Sequence, residues 1–267
     1  EKWDRFKAFF RNQLLELVNG YGPLDIVWLD SGWMKKGGNM DLDVESVIAE
    51  ARKTTPGLIA VDREGGSACE DVRTPEQFVP GAVNSNAWES CMTMADNWGY
   101  HYDDFYKPSR QLIHMLIDVV AKGGNLALNV GPMPDGRLPR PAVERMREMG
   151  AWLNRFGAAI YGTRPVAPYS VTGFGGTTAF TCKDGTTYAI RLWDDGQFGV
   201  RKIHLPVEHP ETVKSVVHVA SGRTLPFFKI APGQSSQYSI RPSLRRYGGT
   251  SNARFRWTSE LRKSSAC

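Results

Sequence analysis

Trp28-Leu29-Asp30-Ser31-Gly32-Trp33 sets one carboxylate between two indoles at the end of an apolar run that begins at Leu24. Such a run reads as a buried parallel strand. An acid that emerges where a strand ends, flanked by flat apolar faces, suits chemistry on a sugar. The rings can stack on a pyranose while the acid reaches the bond beside it. The plainer alternative is that Asp30 caps the next element and that Trp28 and Trp33 are core.

Cleaving a glycosidic bond with retention needs two carboxyl groups about 5–5.5 Å apart, one to attack the anomeric carbon and one to protonate the leaving oxygen. Asp30 is the candidate nucleophile, because a strand end holds it and aromatics flank it. The second carboxyl is Glu76 or Glu89. Glu76 lies on a long polar loop after the second strand, on the face where barrel active sites form. Glu89 lies near the start of the third strand, which points it toward the opposite face, so topology favours Glu76. Each has an ordinary alternative: Glu76 as a solvated loop acid, Glu89 as a strand glutamate paired with an arginine. Arg63 ends the second strand and could fork onto a sugar hydroxyl or hold a carboxylate. Trp98, after the third strand, could stack on the sugar's apolar face. No nucleophile elbow, P-loop or dinucleotide fingerprint is present: Gly123-Gly124-Asn125 lacks a third glycine and precedes a strand.

The elements that must position these residues follow from periodicity. Residues 3–19 repeat with helical period and stop at Asn19-Gly20. Strand 24–29 follows, then a helix over 44–53, strand 58–63, the loop with Glu76, and strand 88–94. A helix over 109–121, strand 125–130 and a helix over 141–156 complete this part. Strand and helix alternate to about residue 160, the pattern of a parallel α/β architecture. After Pro165 the texture becomes short alternating strands at 177–181, 187–193 and 214–219, a small antiparallel β domain. From about Pro242 the chain is rich in Arg, Ser and Gly, without a clear period.

Bulk properties narrow the class. A chain of 267 residues is one large domain or two smaller ones, and at 41% hydrophobic it can bury a sizeable core. The net charge of +5 owes much to Arg241, Arg245, Arg246, Arg254, Arg256, Arg262 and Lys263. That cluster has no helical period, so neither a nucleic-acid partner nor a membrane surface is expected. No apolar run reaches membrane-spanning length. Cys69, Cys91, Cys182 and Cys267 lack paired short spacing, which leaves metal knuckles and a CxxC motif unsupported; they fit buried thiols at least as well as disulfides. The chain opens inside an amphipathic helix, so the absence of a leader says nothing about compartment.

Several motifs in order resemble one family. Trp28-Leu29-Asp30-Ser31-Gly32-Trp33, Trp88-Glu89-Ser90-Cys91, Trp98-Gly99-Tyr100, the run Gly123 to Pro132, and Gly157 to Thr163 look like the α-L-fucosidases of glycoside hydrolase family 29. The resemblance covers residues 3 to 165, and more weakly to about 235. It implies a retaining exo-glycosidase that removes terminal α-L-fucose from a fucosylated glycan, without metal or organic cofactor. It implies Asp30 as nucleophile and Trp28, Arg63 and Trp98 as sugar contacts, with Trp33 beside them; Glu76 and Glu89 are both carried as acid/base. The family has a complete barrel followed by a β-sandwich. Here about four barrel strands are legible, against eight in a full (β/α) barrel. The expected fold is therefore a partial (β/α) TIM-like barrel over 1–164, a β-sandwich-like domain over 165–241 and a basic irregular tail over 242–267. A half barrel exposes strand edges, so the isolated chain is expected to be inactive or nearly so. An extracellular, periplasmic or lysosomal location is compatible with the family, and the oligomeric state is left open.

Overall fold

The structure is a computed structural model. It describes residues 1–30, 34–63, 65–173, 176–193, 203–206, 213–229, 237–240 and 254–259. They form two compact units: Glu1–Phe78 with Asn84–Cys91, and Val79–Val83 with the described residues from Met92 onward.

In the first unit the apolar runs become two parallel strands, β1 (Ile26–Trp28) and β2 (Ile59–Val61), paired in register from Ile26↔Ile59 to Trp28↔Val61. Helices α1 (Lys2–Gly20) and α2 (Val44–Thr54) lie where the helical period placed them. Their apolar faces meet the strands in one core: Leu14 and Val18 from α1, Val47, Ile48 and Ala51 from α2, and Ala60 from β2. A two-residue strand, β3 (Val72–Arg73), pairs in parallel with the start of β4 (Ala87–Thr93).

The second unit holds α3 (Ser109–Ala121), β5 (Asn125–Asn129) and α4 (Arg140–Phe156), followed by antiparallel strands. Five of these form a sheet in the order β10-β13-β8-β7-β6: Val213–His218, Arg254–Ser259, Thr186–Trp193, Gly176–Lys183 and Arg164–Gly173. A second antiparallel sheet has the order β11-β12-β9: Phe227–Lys229, Gln237–Ile240 and Ile203–Pro206. Phe227 packs against the core of the five-stranded sheet, on Phe180, Trp193 and Val216. The molecule is thus a mixed helix and sheet protein with a large antiparallel sheet.

In the second unit Leu112, Ile117 and Met149 of the helices pack in one core with Ala179, Tyr188 and Ile190 of the sheet. Strand β6 was masked in the sequence by Pro165 and Pro168; it lies at the sheet's edge, where a missing N–H is tolerated. Within the stretch expected to be an irregular tail, Arg254–Ser259 pair with β8 and β10 on either side. The sequence Arg-Phe-Arg-Trp-Thr alternates with period two, a strand pattern that its arginines disguise as a charge cluster. Arg241, Arg245, Arg246, Arg262, Lys263 and Cys267 lie outside the described residues. Cys69 and Cys91 are free and buried, while Cys182 is disulfide-bonded. No described helix is long and apolar enough to cross a membrane.

Candidate active site

Because Trp28 and Val61 are register partners, Asp30 and Arg63 stand at equivalent positions, each two residues beyond its strand. The pairing continues one residue further, with Leu29 N–H donating to Val61 O at 2.8 Å. The side-chain period of two then sends both residues to the same side, and Arg63 Nε lies 3.5 Å from Asp30 Oδ1.

The turn after β2 holds Arg63 in place. Asp62 is buried, and its carboxylate accepts from Gly65 N–H at 3.2 Å, from Ser67 N–H at 3.0 Å and from the Ser67 hydroxyl. Beside this carboxylate Arg63 stands at φ +58°, the left-handed region that side chains bearing a Cβ avoid. Backbone held there marks a position fixed by its surroundings.

The Arg63 guanidinium gathers the site. It lies over the Trp28 ring, 4.9 Å from the centroid. Its Nη2 pairs with Glu76, and its Nη1 donates to Cys91 Sγ at 3.4 Å. Glu76 arrives because residues 75–77 are stapled to β4: Cys91 N–H donates to Pro75 O at 3.0 Å, and Gln77 N–H donates to Cys91 O at 2.8 Å. Nε and Nη2 form one edge of the guanidinium, the edge that often takes a single carboxylate on both nitrogens. Here it takes two carboxylates, Asp30 and Glu76, one on each. The Arg63 side chain is 12% exposed. Of the two uses the sequence allowed for it, it holds carboxylates.

Glu89 is half-buried on β4, two residues from Cys91 and on the same face. Among the described residues it has no hydrogen bond or ion pair, and Arg63 does not gather it. Burial pushes the Cys91 thiol up from its ordinary range; the Arg63 charge opposes that rise, while Glu89 and Glu76 add to it. Cys91 was not singled out from the sequence, because a cysteine inside an apolar strand reads as packing. Trp33 lies outside the described residues.

The Asp30 side chain is 67% exposed. A depression in this unit is lined by Met34, Lys36, Asp41, Glu45, Asp62 and Ser67. A two-stranded pair supplies only one wall. Among the described residues no group of three or more His, Cys, Asp or Glu is placed to hold a metal ion.

In the second unit, Trp98 is half-exposed on the loop between β4 and α3. Asn129 Nδ2 donates to Trp98 O at 2.7 Å. Gly131 packs so closely beneath the loop that a Cβ there would lie 2.4 Å from Gly99 C and from Tyr100 N. Both Asn129 and Gly131 come from the Gly123 to Pro132 motif, so two of the motifs noted in the sequence are parts of one support. Gly131→Ala should cost about 3 kcal/mol, at the upper end for overpacking, and lower Tm by about 10 °C. Thermal unfolding checks this, and an unchanged Tm would show that the loop is not seated on Gly131.

A family model described as Alpha-L-fucosidase matches residues 1–158. The chain is 30% identical over 221 residues to an alpha-L-fucosidase of Branchiostoma floridae, covering 77% of this chain and 47% of that one. It is 34% identical over 166 residues to human plasma alpha-L-fucosidase, 57% of this chain and 34% of that one. Among solved structures, alpha-L-fucosidase isoenzyme 1 from Paenibacillus thiaminolyticus superposes with a TM-score of 0.80 at 25% identity, over 96% of this chain and 63% of that one. Thermotoga maritima alpha-fucosidase in complex with fucose gives 0.76 at 27% identity, over 95% and 56%. The chain spans about half the length of the Branchiostoma relative.

Proposed function

The chain belongs to the α-L-fucosidase family, and on that premise we propose that it carries the nucleophile and acid/base of a retaining hydrolase that removes terminal α-L-fucose from glycans. Asp30 attacks the anomeric carbon as the glycosidic C–O bond breaks, and Glu76 gives its proton to the departing oxygen. Glu76 then takes a proton from water as the water's oxygen displaces Asp30, so two inversions release fucose with its configuration retained. The observation that carries this reading is the single guanidinium edge shared by Asp30 and Glu76, an arrangement suited to the short carboxyl separation of a retaining site. In the resting site Arg63 holds both acids. With substrate present it turns part of its fork to a sugar hydroxyl, while Trp28 offers a stacking face. This chemistry calls for no metal or organic cofactor.

The same premise supports reading residues 1–164 as the C-terminal portion of a (β/α) barrel and 165–241 as a β-sandwich-like domain followed by a basic segment. The parallel pairings β1–β2 and β3–β4 and the strand and helix alternation support it. In this reading the remaining walls around Asp30 belong to barrel strands of the kind the longer relatives possess.

Glu76 and Glu89 are separated by leaving-group dependence. Glu76→Gln should lower kcat/KM about 10³-fold on a fucosyl disaccharide, whose leaving oxygen needs a proton, and far less on α-L-fucosyl fluoride. Glu89→Gln should affect both substrates alike. If Glu89→Gln instead spares only the fluoride, the acid/base role moves to Glu89.

A further inference from the structure

One residue of β4 meets both Arg63 and the segment that carries Glu76. Cys91 holds that segment through its backbone: its N–H donates to Pro75 O at 3.0 Å, and its carbonyl accepts from Gln77 N–H at 2.8 Å. It meets Arg63 through its side chain, whose Sγ accepts from Nη1 at 3.4 Å. The bridge Glu76↔Cys91 continues the parallel register set by Val72↔Ala87 and Arg73↔Trp88. Trp88 and Ser90, on the opposite face of β4, are fully buried, and the Ser90 hydroxyl donates to Phe78 O at 2.6 Å. The strand that carries Cys91 is therefore held on both faces. Around Arg63 the Trp28 ring restrains one face of the guanidinium, and the two acids meet one edge. Nη1 lies outside that edge, so the contact with Cys91 adds an independent restraint. Sulfur is a weak acceptor. Burial, with Glu89 and Glu76 adding to it, keeps the proton on the thiol. A neutral contact orients the fork without drawing its charge from Asp30 and Glu76, as a carboxylate in that place would.

We propose that Cys91 is a positioning residue of the catalytic site: its thiol fixes the orientation of the Arg63 guanidinium while its backbone fixes Glu76, so that one strand residue sets the arginine against the acid/base. This inference rests on the fucosidase reading and deepens it. The thiol acts through Arg63 and has no part in the bond-breaking step itself. Orientation matters here because a retaining site works at a short carboxyl separation, and small misplacements of the reacting groups are costly. A guanidinium free to swing would hold Asp30 and Glu76 less closely in their working places. In this account the thiol contributes by accepting a hydrogen bond, not by filling space. That separates it from ordinary packing, since a serine keeps an acceptor and an alanine of nearly the same size does not.

The test reads the Arg63 guanidinium nitrogens directly by NMR in the natural protein. Nη1 and Nη2 of Arg63 should give separate, slowly exchanging signals, assigned by their loss in Arg63→Lys. Cys91→Ala should speed that exchange about fivefold, the ratio expected for one lost hydrogen bond. Cys91→Ser differs from the alanine variant by one oxygen and should return the exchange to within about twofold of wild type. Unchanged amide signals for residues 75–77 show that the backbone bridge and the fold persist. If the alanine variant loses them, Cys91→Val, which fills the space with an apolar side chain, gives the same comparison: fast exchange supports the thiol's role and slow exchange overturns it. Exchange alike in the alanine and serine variants, or unchanged from wild type in the alanine variant, overturns the proposal, because packing alone would then account for Cys91. Turnover of α-L-fucosyl fluoride tests the fucosidase reading separately, and kcat/KM should fall in the order wild type, Cys91→Ser, Cys91→Ala. A protein that cleaves the fluoride while its alanine variant keeps slow exchange overturns the thiol's role alone. Fast exchange in the alanine variant of a protein that leaves the fluoride intact upholds the contact with Arg63 and overturns the fucosidase reading.

Discussion

Asp30→Gly in the natural protein should lower turnover of an aryl α-L-fucoside about 10⁴-fold, equivalent to about 5.5 kcal/mol of barrier. Glycine removes the attacking oxygen and leaves a space of carboxylate size beside the anomeric carbon. Azide should enter that space and attack from the face Asp30 used, restoring turnover and giving the inverted product, β-L-fucosyl azide. A single displacement inverts, so the stereochemistry of the azide adduct reports which face the lost carboxylate occupied. The exposure of Asp30 makes the substitution mild for folding, because no packed side chain is removed. Loss of activity without loss of Tm is therefore the expected pair of results. A non-catalytic carbohydrate-binding protein on the same scaffold would bind fucosides equally well before and after the change. Full turnover in the variant would exclude Asp30 as nucleophile.

The second large effect is expected at Arg63. Its guanidinium touches Trp28, Asp30, Glu76 and Cys91, and it is the only cation paired with either acid among the described residues. Arg63→Met removes the group that holds both acids in place. We expect kcat/KM to fall about 10³-fold. Arg63→Lys keeps the charge but offers a point ammonium in place of an edge with two nitrogens. It should fall between wild type and Arg63→Met. Rates within tenfold of wild type for Arg63→Met would show that the clamp is incidental.

Much of this site was legible in the sequence, for definite reasons. Apolar runs that end on a charged residue marked both Asp30 and Arg63, and the parallel register then forced them together. Glu76 was legible as a loop acid on the favoured face. The bridge that brings it to Arg63 was not, since β3 has two residues and residues 75–77 meet β4 only at Cys91. Two residues carry no periodicity. Cys91 was hidden by its apolar character. Asp62 could have been found: an aspartate three residues before Gly65-Gly66 is a turn signal of the kind in which a side-chain carboxylate caps backbone N–H groups. The openness around Asp30 was not legible, because the enclosure of a strand end depends on which other strands surround it. β6 and β13 were obscured by prolines and arginines that suit a sheet's edge and a period-two alternation respectively.

The most direct test is to trap the intermediate. Incubation with a 2-deoxy-2-fluoro-L-fucosyl fluoride slows both steps, and the fluoride leaving group spares the first, so a fucosyl-enzyme ester should accumulate. Proteolysis and mass spectrometry should find the sugar on the peptide that contains Asp30, attached to its carboxylate. A sugar adduct on any other side chain, or steady hydrolysis with inversion and no adduct, would contradict a retaining mechanism built on Asp30.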